Sequence, residues 1–150
     1  MPVAAIASVF NVPAYENDEE AVFYNLSGVL AECSYGYLEI GKPEMTLAMK
    51  DEIMRQIRLD QNTRLETWIF LDWARAYLIL QEVEEGVNAA QEFFCRSSTL
   101  QSDHALRRVY EYVEGLESAG YADVQAVRGL REELKSTNSS SSSSIVLHET

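Results

Sequence analysis

Basic residues are scarce in this chain. Its 150 residues hold 12 Lys and Arg against 24 Asp and Glu, a formal charge of −12. That balance repels phosphate backbones and anionic lipid, which disfavours direct nucleic-acid or membrane-surface binding. It leaves a basic protein or peptide as the complementary partner. Glycine and proline are few, seven and three, which excludes a turn-rich all-β fold. The two cysteines, Cys33 and Cys95, form no disulfide framework and read as small core residues of a reducing cytoplasm. His104 and His148 have no Cys or His at metal-ligand spacing. Neither GxxxxGK(S/T) nor GxGxxG occurs. The expectation is therefore no catalytic residue, no cofactor and no metal. The stretch nearest to a membrane span is residues 64–80, but Arg64, Glu66, Asp72 and Arg75 fall inside it. The opening MPVAAIASVF has no Lys or Arg before it, so it lacks the charged start of a signal peptide. A cytoplasmic chain is expected.

Helical periodicity is abundant. Residues 64–80 are apolar on nearly every side. Leu65, Ile69, Trp73, Ala76 and Leu80 make one row; Phe70, Ala74 and Tyr77 a second; Trp68, Leu71 and Leu78 a third. Such a helix must be covered on more than one flank, so it is expected at the centre, with Trp73 buried. Before it, Val22, Leu26, Val29, Cys33, Tyr37 and Ile40 form one stripe that Asn17 opens as a cap and Gly41 closes. Gly28 and Gly36 inside that stripe suggest close helix contact. Pro43 suits the first turn of a helix over 43–57, whose Met45, Met49 and Ile53 share a face. Thr63 with Glu66 reads as a capping box. A helix over 82–97 carries Val83, Val87, Ala90 and Phe94. Leu106, Val109, Val113 and Leu116 mark another that Gly120 ends, and Val124, Val127, Leu130 and Leu134 the last, over 122–135. The reading is all-α: about six helices in antiparallel hairpins stacked as a short solenoid. Residues 1–16 form an irregular arm, 17–135 the helical domain, and 136–150 a Ser-rich tail. Six serines in a row, Ser139–Ser144, cannot bury enough apolar area to offset chain entropy, so the tail is expected to be disordered.

An internal repeat runs through the middle. At an offset of 40 residues, Leu30 meets Phe70, Cys33-Ser34 meets Trp73-Ala74, and Tyr37-Leu38 meets Tyr77-Leu78. Past the turn, Gly41 meets Gln81, Thr46 meets Gly86 and Ile53 meets Phe93. Large residues pair with large and small with small. This pattern resembles the tetratricopeptide repeat over residues 30–94. In that family the small residues let two helices approach and the large ones fill between them. The run Ala74-Arg75-Ala76-Tyr77-Leu78 and the closing helix over 127–134 are also similar to the C-terminal repeat regions of bacterial helix-turn-helix transcriptional regulators. That resemblance implies a sensor or regulatory part without its DNA-binding domain. It further implies a protein or peptide partner, or a second copy of the chain.

Two functional readings follow. The first is a non-enzymatic interaction module in which Tyr35, Tyr37, Tyr110 and Tyr112 line a partner-binding groove. The second is an enzymatic or small-ligand-binding domain with a pocket near Trp68, Trp73 and Tyr77. The central place of Trp73 in the repeat predicts a severe Trp73→Ala, whereas Tyr112→Ala should cost much less.

Overall fold

The computed structural model describes residues 25–99 and 102–148, with side chains through residue 137. Among the described residues seven α-helices follow in order: α1 (Leu26–Glu39), α2 (Pro43–Ala48), α3 (Lys50–Asp60), α4 (Thr63–Ile79), α5 (Val83–Ser98), α6 (Asp103–Leu116) and α7 (Gln125–His148). No strand occurs among the described residues. The architecture is all-α, a solenoid-like stack of helix hairpins. The first is α1 with α2–α3, the second α4 with α5, the third α6 with α7. The pair α4 and α5 is packed most closely, and α4 also touches α1, α2 and α3. The helix that is apolar all round thus takes the central place. Ile69, Trp73, Ala74 and Ala76 are buried along it.

The first two hairpins turn alike. Gly41 has φ 77° and Gln81 φ 61°, both left-handed. Lys42 N–H donates to the Tyr37 carbonyl at 2.8 Å, and Glu82 N–H to the Tyr77 carbonyl at 2.9 Å. These bonds satisfy carbonyls that a helix end leaves open. At Gly41 the left-handed turn carries no steric penalty; at Gln81 it does.

A second correspondence lies inside the hairpins. The Thr46 hydroxyl donates to the Ser34 carbonyl at 2.9 Å. Forty residues on, Gly86 has no side chain, and the Tyr112 hydroxyl donates to the Ala74 carbonyl at 2.8 Å. A Cβ on Gly86 would collide with that hydroxyl. The same carbonyl therefore receives a hydroxyl in both hairpins, once from the partner helix and once from α6. Burial carries the register into the third hairpin. Ile69 and Val109, Trp73 and Val113, Ala76 and Leu116 are all buried, as are Val87 and Val127, Ala90 and Leu130, Phe94 and Leu134.

Several sequence expectations are corrected. The stripe from Val22 to Ile40 is not one helix: Asn25 is extended, and its side chain accepts from Gly28 N–H, which starts α1. The Asn17 cap, Val22 and the arm over 1–16 lie outside the described residues. Ile40, the end of the stripe, is 65% exposed. Gly36 is exposed with open space around it, so helix approach does not explain it; Gly86 is the close-contact glycine. The helix over 43–57 is two helices. At Met49 the N–H bonds to Thr46, three residues back, at 3.3 Å, which tightens the turn and breaks the run. The cap of α4 is Asn62, which accepts from Leu65 N–H, and Thr63 is already helical. Past Leu116 the chain coils on through Glu117–Tyr121, and Gly120 within that turn, at φ 99°, kinks it. Helix α7 runs to His148, where the sequence suggests a disordered tail from residue 136. Serine disfavours a helix only by a few tenths of a kcal/mol per residue relative to average formers, so a helix anchored by Val127, Leu130 and Leu134 can propagate.

Candidate functional site: the groove between α1, α4 and α6

Each hairpin contributes its first helix to one open groove of about 540 Å³. From α1 comes Tyr35. From α4 come Trp68, Leu71, Asp72, Arg75 and Leu78, which recur at steps of three and four and so share a face. From α6 come His104, Arg108, Glu111, Tyr112 and Gly115 in the same rhythm. The α4 face is therefore split: Trp73 and Ala76 go into the core, while Asp72 and Arg75 border the groove.

The charges there are mostly paired. Arg75 reaches Glu39 at 3.7 Å and lies 5.9 Å from the centre of the Tyr35 ring. Arg108 pairs with Glu111 at 3.4 Å. Asp72 is the exception: among the described residues it makes no hydrogen bond or ion pair. Burial pushes its carboxyl up to about 6; Arg75 opposes the shift, and Glu32 and Glu39 add to it. A carboxylate held without a partner in a half-buried site is poorly solvated when ionised.

The four tyrosines are not brought together. Tyr35 is exposed on the groove wall. Tyr112 borders the same groove but is 6% exposed and tied to Ala74, and burial pushes its phenol above the ordinary value. It is a structural residue, so Tyr112→Ala is expected to cost more than the sequence alone suggests. Tyr110 donates to the Leu134 carbonyl at 3.2 Å and so clamps α6 to α7. Tyr37 is half-buried and does not border the groove. The groove residues that sequence reasoning missed are Asp72, Arg75, His104, Arg108 and Glu111. Their signal was the three-four spacing of charged residues, on an α4 that is otherwise mostly apolar and on one face of the amphipathic α6.

Trp68 stands apart from Trp73 and Tyr77, which both face Lys50. Trp68 packs on Phe93 at 5.1 Å and near His104 at 5.6 Å. Trp73 is 3% exposed, edge-on to Phe70 at 5.0 Å. Lys50 Nζ sits 5.1 Å from the Trp73 ring and donates to the Tyr77 hydroxyl at 2.9 Å. Trp68 and His104 also border a second depression of about 790 Å³, with Arg64, Glu66, Cys95 and Arg96. Cys95 is exposed there, not core. Burial, Glu133 and Glu92 push its thiol up, and burial does the same to Cys33. Both therefore favour the unreactive thiol form. No group of three or more metal-ligating side chains occurs among the described residues. No described helix is long and apolar enough to cross a membrane.

Comparison with known proteins returned no match to a family model, to a curated protein or to a solved structure.

Proposed function

We propose that the chain is a non-enzymatic interaction module that takes a peptide or protein segment in the groove between α1, α4 and α6. One observation carries the reading: three successive hairpins turn the same helix face toward one open groove. Tyr, Trp and Arg, the residue types that dominate protein interfaces, are all present there as Tyr35, Trp68, Arg75 and Arg108. On this reading the chain is a short tetratricopeptide-like array in the cytoplasm, the sensor or regulatory part of a transcriptional regulator without its DNA-binding domain. Its charge of −12 favours a basic partner over nucleic acid. The enzymatic or small-ligand reading has less support, because Trp68 packs on Phe93 and His104 while Trp73 and Tyr77 both face Lys50. The test is affinity purification of the full chain from its own cells. A Tyr35→Ala/Arg108→Ala variant is expected to lose a specific partner. A control variant on the exposed face of α5, Glu85→Ala/Asn88→Ala, is expected to keep it. Equal recovery by both variants would refute the groove.

A further inference from the structure

Asp72 lines the groove with no direct ion pair of its own, and Arg75 acts on its charge only at longer range. Arg75 turns to Glu39 and Arg108 to Glu111. Asp72 lies between the Trp68 and Arg75 positions on the groove face of α4, and the exposed Tyr35 lines the same groove. Glu32 and Glu39 from α1 and Arg75 from α4 act on its charge, and His104, Arg108 and Glu111 from α6 line the same groove. Four carboxylates, Asp72 included, stand against two guanidinium groups, so the local potential favours a cation. A positive side chain placed against Asp72 would meet a carboxylate held out of bulk water. Such a pair gains more than one on open surface.

We propose that Asp72 is the subsite for a Lys or Arg side chain of the docked segment. This rests on the peptide-docking reading above. The bound cation holds Asp72 ionised. Docking therefore releases a proton where the free carboxyl is partly protonated, and binding strengthens as pH rises through about 6.

The experiment uses the full chain, fluorescently labelled, on an array of random twelve-residue peptides grouped as basic, neutral and acidic. Retained peptides are expected to be enriched in Lys and Arg. For one retained basic peptide, fluorescence anisotropy is expected to show roughly ten-fold weaker binding to Asp72→Asn, the loss of about one well-placed charge contact. Wild type is expected to lose affinity between about pH 7.5 and 5, and Asp72→Asn to lose none. His104→Gln is expected to keep the wild-type pH dependence, which separates the imidazole from the carboxylate. The isosteric Asn keeps the fold, which a thermal melt confirms. Retention without basic enrichment, with Asp72→Asn binding like wild type, overturns the Asp72 assignment and leaves the docking reading standing. Retention of no peptide by the wild type overturns both.

Discussion

The Tyr112 hydroxyl and the missing side chain of Gly86 occupy one space. Glycine inside a helix normally costs about 1 kcal/mol relative to alanine, so Gly→Ala ordinarily stabilises. At Gly86 the added methyl displaces Tyr112 Oη from the Ala74 carbonyl. A buried hydrogen bond broken with its partners left unpaired costs about 1–3 kcal/mol. Gly86→Ala is therefore expected to destabilise by about 1–2 kcal/mol in urea unfolding. Gly129→Ala, in α7 with nothing within 4 Å of the new methyl, is expected to stabilise by up to about 1 kcal/mol. The same sign for both would contradict the packing described. Asp72 gives a second test at this scale. Its folded-state carboxyl sits near 6, above its ordinary 3.8. Between those values the native chain holds more protons than the unfolded one, so stability falls as pH rises and stays low above about 6. Asp72→Asn is expected to be more stable than wild type near pH 7.5. The gain is about 1–2 kcal/mol, the two-unit shift discounted for partial exposure. It is expected to vanish near pH 4. Thermal melts at the two pH values check this.

The hairpin turns are the elements that decide whether the repeat closes. Gln81 and Gly41 adopt the same left-handed turn, and only glycine does so without penalty. Gln81→Gly is expected to stabilise by up to about 1 kcal/mol, and Gly41→Gln to destabilise by a similar amount, both read from melting temperatures. A Gln81→Gly that destabilises, or a Gly41→Gln that does not, would mean that the two turns are not equivalent. These elements also show what local sequence carries and what it does not. Gly41 and Pro43 mark their turn by chemistry alone, and Ser102 marks the start of α6, where it accepts from Ala105 N–H. Nothing in glutamine demands a positive φ, so the Gln81 turn is visible only through its offset from Gly41. Asn25 was hidden because apolar residues at helical spacing continue across it. The break at Met49 was hidden because Met45, Met49 and Ile53 keep that spacing through it. The role of Tyr112 was illegible because its acceptor lies 38 residues away in another hairpin. The same holds for the groove: its walls come from three helices, and periodicity within one helix says nothing of which charged residues of another lie opposite.

At the scale of the whole molecule, α4 joins the first hairpin to the rest. Trp73 lies on its buried side at 3% exposure. Truncating such a side chain costs about 3–5 kcal/mol, and a domain has about 5–15 in all. Trp73→Ala is expected to unfold the chain or lower its melting temperature severely, with loss of the helical signal in circular dichroism. A variant that melts like wild type would displace α4 from the centre. With α4 in place, Tyr35 stands on the open wall of the groove and Asn88 on the exposed face of α5. A photo-crosslinking amino acid installed at each position in the full chain, in its own cells, tests the functional claim most directly. The account predicts one dominant crosslinked partner from position 35, lost when Arg108→Ala is added, and none from position 88. Crosslinks equal at the two positions, or absent from position 35, would contradict it.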